Sequence, residues 1–189
     1  MKLAIDIGNT SITCGIFKKT NIIKTLHFKT INELILKTNI SQFRKIIISS
    51  VVPKLTKNIH EKLNKIFNRD LVFINHKNCS LKLNVHNPQS VGNDRLCNIF
   101  ATVSLYQTPS IIIDFGTATT YDVINENNEF IGGAIGAGIE TSANYLINKA
   151  ALLSKTDLQF PNHSIGIDTK ENIQSGIMFG AIDQVEGMI

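Results

Sequence analysis

One local plan occurs twice in this chain, 108 residues apart. "LAIDIGNTSITCGIF", residues 3 to 17, and "IIIDFGTATTYDVI", residues 111 to 124, each run an apolar strand into Asp, one apolar residue, Gly, and small hydroxyl or amide residues before a second strand. Asp6 and Gly8 correspond to Asp114 and Gly116. Period-2 alternation and β-branched content on both sides of each turn predict two tight β-hairpins, each with an acid at the end of its incoming strand. A duplicated plan of this kind means two similar units rather than one continuous sheet.

Such a hairpin suits phosphate. A glycine in the turn can take positive φ and let the backbone approach a ligand closely, while Asn9, Thr10, Thr117 and Thr119 add N–H and hydroxyl donors. An aspartate beside them would repel a bare phosphate, so its presence calls for a cation, or water on a cation, between the two. A single D-x-G-T match is equally an ordinary hairpin whose Asp caps the turn. Two copies in comparable strand contexts weigh against that alternative.

The rest of the pattern organises around these hairpins. Strands are expected at 2–7, 12–18 and 21–28, with a helix near 30–40, and "KIIISSVV" reads as a buried strand. Pro53 then opens an amphipathic helix with Leu55, Ile59, Leu63 and Ile66 on one face and Lys54, Lys57, Lys62 and Lys65 opposite. "LVFI" at 71–74 is a fifth strand and 92–106 a helix. Pro109 marks a boundary, after which strands are expected at 110–114, 118–125 and 128–135. A helix should follow "GAG" over about 138–149, and a last one should run from the Asp168 to Glu171 capping box to the end. The implied domains are an N-terminal α/β unit, 1–108, and a C-terminal one, 109–189, with a cleft between them.

Composition narrows the class. With 43% hydrophobic and 18% charged residues the chain reads as globular, and no apolar run reaches the ~18 residues that a membrane span needs. Three cysteines fit neither a disulfide framework nor a close metal spacing, which points to a reducing cytoplasm. Residues 1–108 hold sixteen Lys and Arg against five Asp and Glu, while residues 109–189 hold three against ten. That asymmetry fits either a polyanion-binding face or a lysine-rich solvated surface; the latter is preferred, and nucleic acid is not an expected partner.

"VGNDR" carries its own chemistry. Asp94 and Arg95 fall at the start of a helix, where the dipole and uncapped N–H groups favour anions. Asp94 could be a plain first-turn residue; set beside two phosphate hairpins, it is the carboxylate a kinase needs to accept a hydroxyl proton.

Taken together, "DIGNT" and "DFGTATT" resemble the phosphate-binding turns of the acetate and sugar kinase, heat-shock protein 70 and actin superfamily. More narrowly, "DIGNT", "NPQSVGNDR", "DFGTATTYDV", "GGAIGAG" and "IGIDTKENIQSGIMFG" resemble type III pantothenate kinase in order and approximate spacing. The resemblance implies two ribonuclease H-like (actin-like ATPase) units with the nucleotide cleft between them. It implies ATP and pantothenate as substrates, Mg2+, a monovalent cation (potassium or ammonium), and a homodimer. Carried over by position, Asp6, Ile7, Gly8, Asn9, Thr10, Ser11, Ile12 and Thr13 match the ATP-binding turn, and Thr117 a further ATP contact. Asp114 matches the monovalent-cation ligand. Gly92, Asn93, Asp94 and Arg95 match substrate contacts, with Asp94 the proton acceptor and Arg95 offering a planar fork suited to a carboxylate. Thr169 matches a substrate contact and is equally readable as a helix cap. Two departures bear on substrate fit: Val85 stands where the family commonly has an aromatic residue, and Ala137 where its loop carries proline.

A rival of another class is a non-catalytic regulatory or accessory protein, transcriptional in role, on the same fold. The basic first half favours it; Asp6, Asp94, Asp114 and Thr117 together favour the enzyme. The last helix ends without a glycine cap, proline or polar tail, so the second unit is expected to be incomplete, lacking two strands, a helix and part of the base pocket.

Overall fold

Five apolar runs of the first hundred residues pair into one mixed sheet. β1 (Lys2–Ile7), β2 (Ile12–Lys18), β3 (Asn21–Phe28), β4 (Lys45–Ser50) and β5 (Asp70–Phe73) line up in the order β3-β2-β1-β4-β5. β1 to β3 form an antiparallel meander, whereas β4 and β5 join parallel to β1 after helical crossovers. α1 (Ile31–Lys37) is capped by the Thr30 hydroxyl, which accepts from the Glu33 N–H, and α2 (Pro53–Ile66) starts on Pro53. The computed structural model describes residues 1–67, 69–150, 153 and 155–189. They divide into two units, Met1–Thr108 with Glu126–Phe130 and Pro109–Asn125 with Ile131–Ile189.

The core of the first unit follows strand alternation. Leu3, Ile5 and Ile7 of β1, Ile12, Cys14 and Ile16 of β2, and Ile46 and Ile48 of β4 are buried with Leu34, Phe43, Ile59 and Leu63. The helix of α2 departs from its predicted apolar face: Ile59 and Leu63 are fully buried, but Leu55 and Ile66 are 40% and 47% exposed. Ile59 and Leu63, in the middle of the helix, join the core cluster, whereas Leu55 and Ile66 lie at its two ends. Residues 30–40 hold a shorter helix than expected, followed by a 3-10 turn at Ile40–Gln42. The short strand β6 (Lys82–Leu83) and a 3-10 turn at Pro88–Ser90 were not foreseen; α3 (Asn93–Leu105) follows directly.

In the second unit β7 (Ser110–Phe115) and β8 (Ala118–Ile124) form the second hairpin, and β9 (Glu129–Ala137) continues the sheet beside β8. The first residues of β9, Glu129 and Phe130, belong to the first unit and pair parallel with β6. α4 (Ile139–Lys149) and α5 (Thr169–Met188) complete it. The Asp168 carboxylate caps α5 by accepting from the Glu171 N–H at 2.8 Å, while Glu171 accepts from the Ile167 N–H at 3.1 Å. The cap is therefore Asp168, and Thr169 is the first helical residue.

Candidate functional site

The first hairpin is held from below and open above. Asp6 pairs with Thr13 and Ile7 with Ile12 across the β1–β2 ladder, and the turn closes through a Gly8 N–H donating to the Ser11 carbonyl at 3.0 Å. Ile7 and Ile12 are buried, so their side chains anchor the turn and only their backbone can serve a ligand. Asp6, Asn9, Thr10 and Ser11 are exposed. Thr13 is half-buried, its hydroxyl 3.2 Å from His27 Nδ1 on β3.

The glycine expectation needs correcting. Left-handed backbone occurs at Lys19, Ser80, Asn128 and Gly132, not at Gly8 or Gly116. A Cβ on Gly8 would meet only the Ser11 carbonyl oxygen at 3.5 Å, and one on Gly116 only the Ala118 carbonyl oxygen at 3.6 Å, both ordinary contacts. Neither turn needs glycine for its own backbone or packing. At both positions glycine leaves the turn without a side chain, and its N–H closes the turn.

The "GNDR" motif reaches the same end of the sheet as Asp6. β1 and β4 run parallel with Asp6 beside Ser49 and Ile7 beside Ser50, and the Val51 N–H donates to the Ile7 carbonyl at 3.2 Å. Asn93 Nδ2 then donates to the Ser50 carbonyl at 2.9 Å, tying the first turn of α3 to the end of β4. Buried Val91, Leu96 and Ile99 fix the helix behind it. Asp94 is half-buried, and its Oδ1 accepts from the Arg95 N–H at 2.7 Å. Gly92 makes that fold-back possible, because a Cβ there would stand 2.5 Å from Asp94 Oδ1. The Arg95 guanidinium lies over the Phe130 ring, 5.5 Å from its centroid.

The charges of the two acids both reach one half-buried thiol. Burial raises the Cys97 thiol, one turn beyond Asp94 on α3; a hydrogen bond with Ser49 opposes the rise, and the Asp6 and Asp94 charges add to it. Cys14, behind Asp6, is pushed up to about 12 by burial first and by Asp6 second. Both carboxylates therefore act on one thiol at the carboxyl ends of parallel strands, where ligands of open α/β sheets bind.

In the second unit Asp114 pairs with Thr120 near the end of β7, and the Gly116 N–H donates to the Ala118 carbonyl at 3.0 Å. Thr117 is exposed, but its carbonyl is engaged, accepting from the Gly138 N–H at 3.0 Å and from Thr141 Oγ1 at 2.7 Å. Here glycine is required: a Cβ on Gly138 would overlap the Gly116 carbonyl oxygen and lie 2.7 Å from that of Thr117. Thr119, expected among the donors, is 2% exposed, because alternation along β8 turns it to the face opposite Asp114. Thr120 takes that place, its enclosed hydroxyl making no hydrogen bond within the protein. Asp122, fully buried, follows on the same face. The period of two in "DFGTATTYDV" was the available signal for both.

Among the described residues no cluster of three or more His, Cys, Asp or Glu could close around a metal ion. Asp6 and Asp114 instead offer single carboxylates beside phosphate-type turns. That donor set fits a hard cation that takes its remaining oxygens from phosphates and water. Thr169 is exposed at the start of α5. No helix among the described residues is long and apolar enough to cross a membrane.

Comparison with known proteins assigns the family. A family model for type III pantothenate kinase matches residues 2–189. A type III pantothenate kinase of Sulfurihydrogenibium sp. is 41% identical over an alignment covering 100% of this chain and 81% of the relative. That of Moorella thermoacetica is 38% identical, covering 100% and 80% respectively. A solved structure described as a Baf family transcriptional activator from Campylobacter jejuni superposes with a TM-score of 0.67 at 21% identity, covering 99% of this chain and 79% of that one. At that identity it speaks to the fold, a mixed α/β architecture, and not to the role. The family model, matched over residues 2–189, and the named kinases, matched across this whole chain, decide the family: this chain belongs to the type III pantothenate kinase family.

Proposed function

We propose that the chain transfers the γ-phosphoryl group of ATP to the primary hydroxyl of pantothenate, the first step of coenzyme A biosynthesis. The observation that carries this reading is the joining of two motifs in the first unit. Asn93 Nδ2 on the Ser50 carbonyl brings the Asp94 carboxylate to the strand ends where the Gly8 turn opens. Asp6 to Thr13 cradle the phosphates of ATP, and Thr117 adds a contact from the second hairpin. Asp94 accepts the proton of the substrate hydroxyl as its oxygen bonds to the γ-phosphorus and the bond to ADP breaks. Gly92 to Arg95 and Thr169 hold the substrate. Asp6 and Asp114 are the residues that would hold Mg2+ and a monovalent cation, which neutralise phosphate charge when bound.

Family membership and the joint presence of Asp6, Asp94, Asp114 and Thr117 support an enzyme over a regulatory protein, which has no chemical use for all four. A homodimer in the cytoplasm belongs to the same reading. Its support is the open face of α5, where a Cβ on Gly176 or Gly180 would meet nothing within 4 Å. Measuring ADP release from the purified chain tests the proposal: release should require pantothenate and ATP together. ADP release that pantothenate does not stimulate would count against it.

A further inference from the structure

Three side chains form a row across the first unit's sheet. Asp6 stands opposite Thr13 on the β1–β2 ladder, and Thr13 stands opposite His27 on the β2–β3 ladder. Directly opposed residues of antiparallel strands project from the same face, so all three share one. Their chain neighbours Ile7, Ile12 and Phe28 are buried in the core on the other face. The row therefore lies on the face away from that core, at the foot of the turn that Gly8 and Ser11 close, with Asp6 and His27 exposed and Thr13 half-buried between them. Thr13 Oγ1 is 3.2 Å from His27 Nδ1, and among the described residues neither side chain makes another hydrogen bond.

A threonine hydroxyl has one proton to give and two lone pairs to offer. With a proton on Nδ1 the His27 ring donates to Thr13 Oγ1 and leaves the hydroxyl proton for a second acceptor. With Nδ1 bare, the ring accepts and that proton is used up. Only the first arrangement lets Thr13 donate to a phosphate oxygen. We propose that His27 is a positioning residue for the nucleotide: its Nδ1–H donates to Thr13 Oγ1 and so turns the Thr13 hydroxyl proton towards a phosphate oxygen of ATP. The inference rests on the function proposed above and adds to it a residue of β3, outside the Gly8 turn and outside every motif of the sequence. What brings His27 there is the register of the third strand, which sets it beside Thr13 from fourteen residues away.

The experiment measures KM for ATP, KM for pantothenate and kcat for the full chain and its variants. His27→Leu, which fills the place but cannot donate, should raise KM for ATP about three- to tenfold, the size of one neutral hydrogen bond, with kcat and KM for pantothenate unchanged. His27→Asn, whose amide nitrogen can take the place of Nδ1 and donate, should restore most of the lost affinity. In a Thr13→Val background His27→Leu should add nothing, because no hydroxyl is left to orient. Thr25→Val, on the same face of β3, should leave all three constants intact. An active wild type whose KM for ATP survives His27→Leu overturns this proposal alone. So does a His27→Leu variant that lowers kcat and raises both KM values alike, a His27→Asn variant no better than His27→Leu, or an undiminished effect of His27→Leu in the Thr13→Val background. A wild type that does not phosphorylate pantothenate overturns the kinase reading and this proposal with it.

Discussion

Gly92 and Asp94 form one device. The carboxylate folds back onto the start of α3 because position 92 has no side chain, so the spacing of "GNDR" is a steric requirement before it is a binding one. Gly92→Ala should displace the Asp94 carboxylate and lower kcat on the order of 10²-fold while the variant stays folded, checked by steady-state kinetics beside circular dichroism. An unchanged kcat would show that the carboxylate's place does not matter. Cys14 makes a separate, pH-dependent prediction. Its folded pKa, about 12, lies above the ordinary 9.0, so the native state keeps a proton that the unfolded chain releases as pH rises past about 9. Stability should then fall by about 1.4 kcal/mol per pH unit between those values, and Cys14→Ala should remove that share of the slope in urea unfolding at pH 9 to 11. Parallel pH dependences would contradict it. At this scale the placement of the acids and glycines at the two turns was legible. The direction of Thr119 and the ordinary backbone of Gly8 were not, because single-residue φ and strand face depend on a register that only pairing establishes.

Elements were legible where their period was long enough to register. β1 to β4, β7 to β9 and the long helices fall within a residue or two of their expected ranges, because alternation, Pro53 and the Asp168 cap are local signals. β6 and the 3-10 turns span two or three residues and carry no period, and the exposure of Leu55 and Ile66 at the ends of α2 is not encoded in the helix's own apolar pattern. The support of the second hairpin by the start of α4 was also hidden, since it joins Thr117 to Gly138 across two intervening strands, β8 and β9. Gly138→Ala should therefore cost at least 1 to 3 kcal/mol of stability through overlap with backbone that cannot yield, and should impair activity by shifting the turn. Gly176→Ala, in the middle of α5 with open space around it, should instead add about 0.5 to 1 kcal/mol by helix propensity. Urea unfolding of the two variants beside wild type checks both; a destabilised Gly176→Ala would mean that its open face is already covered in solution.

For the molecule as a whole, two hairpins of one plan serve different cations in this reading, and that difference can be measured. If Asp114 holds a monovalent ion near the phosphates, replacing potassium with sodium should cut the rate strongly, and Asp114→Ala should remove both the dependence and most of the rate. Equal rates in the two salts would remove the assignment. The duplication itself was the most legible large-scale feature, since a repeated strand, acid and glycine survives without any knowledge of pairing. The passage of Glu126–Phe130 into the first unit was not legible, because nothing in that turn marks which neighbour its backbone joins. The most direct test of the proposed chemistry is label transfer from γ-labelled ATP to pantothenate, with wild type and Asp94→Asn assayed side by side. Wild type should form labelled phosphopantothenate, and Asp94→Asn should do so more slowly by about 10² to 10⁴ while binding ATP as before. Absence of labelled product from wild type, or a variant that turns over at the wild-type rate, would contradict it.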